Sequence, residues 1–309
     1  MFNLIATALI LAGPTETQVT LPSAPAPLHG TLLQPEGPSV ATAVIIPGSG
    51  PTDRDGNNPL GTRNSSLKQL AEGLAAQGIA TVRIDKRGIA ASRAAGSNEA
   101  ELTFDQLAQD AGEWADFAAQ QTGAPCAWLI GHSEGALVAQ SAAIGDEKIC
   151  GLILLSGAGR PAGIVIREQL QGQLPEPLKT EAEATLSELE AGRTVANPPA
   201  ALAMLFRPSV QPYLISWLSR DPSELAKNYA GAIFIGQGTT DIQTSVADAP
   251  ALSAAQPNAQ LKLWEGINHV LTEAPAERAA NLATYGNAEA KIAQQVAEDV
   301  AAFIKGRSH

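Results

Sequence analysis

Residues 128–140 read WLIGHSEGALVAQ. The first three residues are apolar, as in a strand buried on both faces, and the last six suit a helix. A histidine, a serine and a glutamate fill the corner between them. Gly131-His132-Ser133-Glu134-Gly135 is G-x-S-x-G. A strand that becomes a helix within so few residues needs glycine where the two backbones meet, and it lifts the serine hydroxyl out at the C-terminal edge of the sheet. The helix behind the serine offers unpaired N–H groups and the positive end of its dipole. The competing reading is a structural Gly-Ser turn.

Working outward, TQVTLP and LHGTLLQ alternate as two short antiparallel strands at a sheet edge. SVATAVIIPG (39–48), IATVRID (79–85), CAWLIG (126–131), ICGLILLSG (149–157), AGAIFIGQG (230–238) and QLKLWEG (260–266) are more continuously apolar, as expected of strands covered on both faces. Helices are expected over NSSLKQLAEGLAAQG, with Asn64 as N-cap and Gly78 as stop. Others are expected from the Thr103–Gln106 capping-box pair, from Gly135, and over 288–304. Leu107, Ala111, Trp114 and Ala118 form one apolar stripe at helical period. Strands alternating with helices imply an α/β fold with a mostly parallel central sheet and helices on both faces. Residues 158–229 break the alternation. They contain helical fragments (IVIREQLQGQL, KTEAEATLSELEAG) punctuated by NPPA, RPSVQPY and RDPSE, and are read as a helical cap hinged by its prolines and inserted after the sixth strand. The organisation expected is therefore a core of 14–157 and 230–309 around a cap of 158–229.

A serine hydroxyl needs a base to become a nucleophile. The chain has four histidines. His132 sits inside the turn and its side chain is expected to point elsewhere; His29 lies in an early strand and His309 ends the chain. That leaves His269, on the loop after the last strand. The carboxylate that holds such a histidine falls between serine and histidine in this layout, just past a strand. Asp241 fits, with Glu147, Asp221, Asp248 and Glu265 as rivals. The oxyanion formed after attack needs N–H donors. These are expected from the backbone of Glu134 and, in the loop IIPGSGPTDRDGN, of Ser49. Asp53, Arg54, Asp55, Lys86, Arg87 and Glu134 lie on loops at the same edge and read as a salt-bridge network bracing the oxyanion loop, with direct substrate contact as the competing role.

Only 17% of residues are charged and the formal net charge is −11. That speaks against nucleic-acid phosphates and anionic membrane surfaces as partners. MFNLIATALILAGPTETQ opens with an apolar run too short to span a bilayer but suited to a secretory signal, read over residues 1–13 with Ala12 ahead of Gly13 as the cut. The mature protein is then expected in the periplasm or outside the cell, without a stable membrane anchor; a cytoplasmic protein with a buried N-terminal segment is the alternative. Oligomeric state is left open.

PGSGPTDRDGN, VRIDKRGIAAS, GHSEGA, GQGTTDIQTSVADA and GINHVL occur in that order, and with them the chain resembles the α/β-hydrolases of the serine aminopeptidase/esterase-like group. Two departures show: RGIAAS has Ala90 where the group has a second glycine, and GHSEGA has Ala136 at another customary glycine. The resemblance implies a cofactor-free and metal-free hydrolase of small-molecule carboxylic esters with short to medium acyl groups. Aminopeptidase, thioesterase, lactonase and carbon–carbon bond hydrolysis are open alternatives on the same triad, and a catalytically silent binding protein is a remoter one. Leu205, Phe206, Tyr213 and Trp217 are candidates for the acyl pocket, each with packing inside the cap as its competing role. In this fold Cys126 and Cys150 open neighbouring parallel strands, close enough for a disulfide, which export would favour. Side chains on adjacent strands often face opposite ways, and a one-residue slip forbids the bridge. The reading therefore leans towards two free buried thiols.

Overall fold

The structure is a computed structural model, and it describes residues 13–171 and 174–307. The expected signal segment and its cut at Ala12 lie outside the described residues, apart from Gly13. Among the described residues one sheet holds β1 (Thr15–Leu21), β2 (Leu28–Gln34), β3 (Ala41–Ile46), β4 (Ile79–Ile84), β5 (Ala127–His132), β6 (Ile149–Leu155), β7 (Ala232–Gly238) and β8 (Gln260–Trp264), in the order β1-β2-β4-β3-β5-β6-β7-β8. β2 runs antiparallel to both neighbours, and all pairings from β4 to β8 are parallel. Every strand the apolar runs indicated is present within two residues of its expected limits.

Two apolar cores flank the sheet. One packs α2 (Phe104–Thr122), α3 (Glu134–Ala143) and α9 (Asp248–Ala255) on one face; the other packs α1 (Ser66–Ala75) and α11 (Gln294–Lys305) on the opposite face, with α10 (Arg278–Tyr285) preceding α11 in the chain. α2 begins with the expected capping box, and Leu107, Ala111, Trp114 and Ala118 are all buried. Two helix starts differ from expectation. α1 starts after Ser65, while Asn64 is fully buried and turns its amide to the Val270 carbonyl and Thr272 hydroxyl. α11 starts at Gln294, because Ile292 forms a bridge with Thr272 instead of joining the helix.

Between β6 and β7 lie α4 (Ala162–Gln171), α5 (Glu176–Glu190), α6 (Ala203–Phe206), α7 (Gln211–Leu218) and α8 (Pro222–Asn228); the first four share a separate apolar cluster, while Ala226 of α8 packs into the core of the α2 face. The prolines read as hinges in RPSVQPY and RDPSE stand at helix starts: Pro212 lies in the first turn of α7, and Pro222 opens α8 behind the Asp221 cap. Proline lacks an N–H that the first helical turn does not use, so it fits there without loss.

Cys126 and Cys150 form a disulfide, with Cα atoms 5.3 Å apart. This overturns the expectation of free thiols. The β5–β6 register shifts between Ala127, which faces Ile149, and Trp128, which faces Gly151. Cys150 is the extra residue of that irregularity and so is released from the strict up-down alternation.

Candidate active site

β5 ends at His132 and α3 starts at Glu134, so Ser133 alone makes the corner, at φ +56° and ψ −122°. That is a strained conformation for a residue with a side chain. The flanking glycines permit it. A Cβ on Gly131 would lie 2.1 Å from the Gly135 carbonyl oxygen, and one on Gly135 would lie 2.4 Å from that of Ile46. The Ser133 N–H donates to the Leu155 carbonyl at 2.9 Å, and the residue stays half-buried, bordering a cavity. Ala136 packs its methyl where Gly157 has none: a Cβ there would come within 2.6 Å of it.

Asp241 stands three residues past β7, and His269 lies on the loop after β8. The His269 Nδ1 is 2.8 Å from Asp241 Oδ2, with both side chains almost fully buried. Asp241 Oδ2 also accepts from Gln237 Nε2 at 3.0 Å, and Oδ1 accepts from the N–H groups of Gln243 and Thr244 at 2.8 and 2.9 Å. Burial opposes the charge on Asp241. The neighbouring His269 and the two backbone N–H groups outweigh it, holding the carboxyl below the usual carboxylate range. Nδ1–H bound to the carboxylate leaves Nε2 of His269 free to accept a proton. The rivals are placed elsewhere: Asp221 caps α8, and Asp248 is fully buried against Arg160 and the Gly159 N–H.

His132 does not turn away from the site. Its Nε2 donates to the His269 backbone carbonyl at 2.7 Å, and the two rings lie 4.9 Å apart. Burial, and then the positive charge that His269 can carry, lower its pKa from 6.5 to about 4, so at neutral pH it is an uncharged donor. The rest of the His269 loop is held by buried amides. Asn268 accepts from the N–H groups of Val270 and Thr272 and donates to Asn281 and Thr284, while Asn64 reaches the Val270 carbonyl from the far side. Asn268 and Asn281 carry no sequence signal of this role, and Asn64 carries the different one of a helix cap.

The loop after β3 meets the corner at Gly48, where a Cβ would lie 3.0 Å from that of Ser133. Within the expected charged cluster only Lys86 and Glu134 pair with each other; Arg54, Asp55 and Arg87 pair with residues outside it. Arg54 pairs with Asp85 at 2.6 Å, Asp55 with the buried Arg83, and Arg87 with Asp110 at 2.6 Å. Lys86 donates to the Gly48 carbonyl and lies 3.3 Å from Glu134. Ala90 has φ +44°, in the left-handed region that favours glycine.

Ser49, Ser133 and Glu134 border a cavity of about 110 Å³. Ser49 and Glu134 also border an adjoining one of about 540 Å³, walled on its other side by Leu205, Tyr213 and Trp217. Phe206 is not among them: it is fully buried in the apolar cluster of the inserted helices, having the packing role that competed with pocket lining. The Tyr213 phenol is pushed well above its usual pKa by burial and by the Glu134 carboxylate beside it. Among the described residues no cluster of three or more His, Cys, Asp or Glu side chains is arranged to hold a metal ion, and no helix is long and apolar enough to cross a membrane.

A mostly parallel eight-stranded sheet with helices on both faces, turned sharply at a G-x-S-x-G corner, defines an α/β-hydrolase. The family model described as "Serine aminopeptidase, S33" matches residues 60–274, and the chain belongs to that family. Comparison with curated protein sequences finds no match. Among solved structures the chain is similar to Est1E from Butyrivibrio proteoclasticus (16% identity, 96% of this chain and 99% of that one, TM-score 0.59). It is similarly close to the α/β hydrolase GrgF from Penicillium sp. sh18 (16% identity, 95% and 99%, TM-score 0.60). The proline iminopeptidase of Mycobacterium smegmatis also matches (12% identity, 94% and 99%, TM-score 0.59). The protein is a hydrolase of the α/β family.

Proposed function

We propose that this hydrolase is a serine carboxylesterase working through an acyl-enzyme. Ser133 attacks the acyl carbonyl while His269 Nε2 takes its proton. The developing imidazolium is stabilised by Asp241, and the N–H groups of Ser49 and Glu134 receive the oxyanion. His269 returns the proton to the leaving alcohol, and water repeats the sequence to release the acid. The observations that carry the reading are the 2.8 Å contact between His269 and Asp241 and a serine at a strained strand-to-helix corner whose neighbour, His132, hydrogen-bonds the His269 carbonyl.

Two features favour esters over aminoacyl substrates. The cavity beyond the corner is walled mainly by apolar side chains, which suits a short to medium acyl group. Its two carboxylates are already spoken for: Glu134 by Lys86, and Glu99 by Arg207 and Ser209. Neither is free to hold a substrate ammonium. The test is twofold. A fluorophosphonate probe should label Ser133 and no other residue, and p-nitrophenyl acetate to octanoate should be hydrolysed faster than aminoacyl p-nitroanilides. Faster cleavage of the amides would make the protein a peptidase instead. Export to an oxidising compartment is part of the same proposal, supported by the apolar N-terminal run and by the paired cysteines.

A further inference from the structure

We propose that Lys86 is a positioning residue for the oxyanion hole, holding the Gly48–Ser49 peptide plane so that the Ser49 N–H faces the substrate oxygen. The inference deepens the esterase reading and rests on it. Lys86 follows β4 and reaches the corner from a strand that carries none of the proposed reacting groups. Its ammonium donates to the Gly48 carbonyl across 38 residues of sequence and to Glu134 across 48. The side chains of Lys86 and Glu134 are 6% and 3% exposed.

A trans peptide is planar, with its C=O and the following N–H pointing in opposite directions. The 48–49 bond is trans. Fixing the Gly48 carbonyl on Lys86 therefore turns the Ser49 N–H away from the ammonium. Glycine before that plane makes the restraint necessary, since without a Cβ little else prevents the plane from rotating. Gly48 itself abuts the Ser133 side chain, and Ser49 shares both cavities with Glu134. Lys86 thus joins the two segments that supply the proposed donors: one through the carbonyl of the preceding peptide, the other through the side chain of the residue after the nucleophile. Because Glu134 neutralises its charge at close range, the ammonium acts on the oxyanion chiefly by placing an N–H, not by its own field.

The experiment compares Lys86→Met, Lys86→Arg and the double variant Lys86→Met/Glu134→Gln, with Ser133→Ala in parallel. The double variant removes the cation without stranding a buried carboxylate, and so covers the case in which Lys86→Met alone does not fold. With p-nitrophenyl butyrate, Lys86→Met and the double variant should lose about 10²–10³ in kcat, the effect of removing one oxyanion donor, with KM within about twofold. Affinity for a tetrahedral boronate adduct should fall in step with kcat/KM, while binding of the product carboxylate stays unchanged. Lys86→Arg, which can still reach the carbonyl, should recover at least tenfold. A raised KM at unchanged kcat would overturn the inference in favour of direct substrate contact, and folded variants with parental kcat would overturn it outright. If Ser133→Ala stays active, the esterase reading itself fails. If Ser133→Ala is inactive and Lys86→Met is not impaired, only the role of Lys86 falls.

Discussion

Replacing Cys126 and Cys150 together by alanine opens a loop spanning 24 residues of sequence. The chain-entropy relation puts the lost restraint on the unfolded chain at about 12 cal/mol/K, or about 3.5 kcal/mol at 25 °C. Unfolding entropy near the transition runs at about 2.1 cal/mol/K per residue, about 0.6 kcal/mol/K for a chain this long, so the midpoint should fall by about 5–6 °C. Catalysis should not change. The bridge joins the starts of β5 and β6, while Ser133 stands just past β5, seven residues after Cys126 and about 20 Å away along the strand. Scanning calorimetry of the oxidised parent and of Cys126→Ala/Cys150→Ala, each with its thiol content fixed by intact mass after alkylation, measures the difference. A midpoint within 1 °C of the parent, or two alkylated thiols in protein made in an oxidising compartment, would refute the reasoning.

Other outcomes follow from the same geometry. Ser133→Ala should cost about 10⁴–10⁶ in kcat and Asp241→Asn somewhat less, both as folded proteins; a Ser133→Ala enzyme with a tenth of parental activity would rule out the acyl-enzyme route. His132 stays unprotonated in the native state down to about pH 4, whereas the unfolded chain takes up that proton near pH 6.5. Stability should therefore drop by up to about 3 kcal/mol as pH falls from 6.5 to 4, and the slope of urea midpoint against pH should flatten in His132→Asn. The depressed Asp241 carboxyl adds its loss only below the ordinary carboxylate range, outside that window. An unchanged slope in His132→Asn would exclude His132 as its source. Ala90→Gly should raise stability by about 0.5–1 kcal/mol, the relief of a left-handed alanine less the extra freedom glycine gives the unfolded chain, and a lowered urea midpoint would contradict this.

The strands were legible because burial on both faces demands long apolar runs, and the corner because only glycine tolerates the contacts at positions 131 and 135. Asp241 and His269 came from layout and elimination, and they meet at hydrogen-bond distance. What the sequence hid was pairing between distant polar residues. Arg83 reads as one more residue in a buried strand, and nothing local announces that it faces Asp55 and Glu16. Asn64 looked like a helix cap because caps are where asparagine is usually found; tertiary demand from the Val270 carbonyl took it instead. The disulfide depended on a register irregularity of one residue at Ala127, and no residue type marks such a shift. His132 was expected to turn aside on the argument that its neighbour owns the site, yet its partner is a main-chain carbonyl, which any sequence supplies.

β5 and β8 are separated in the sheet by β6 and β7. Twist and breathing accumulate across three inter-strand steps, so two groups carried on those strands would drift with every flexing of the sheet. The hydrogen bond from His132 to the His269 carbonyl bypasses that path. Ser133 is covalently next to His132, so hydroxyl and imidazole share a linkage of two adjacent residues and a single hydrogen bond. Sheet motion then carries both together, as points on one lever.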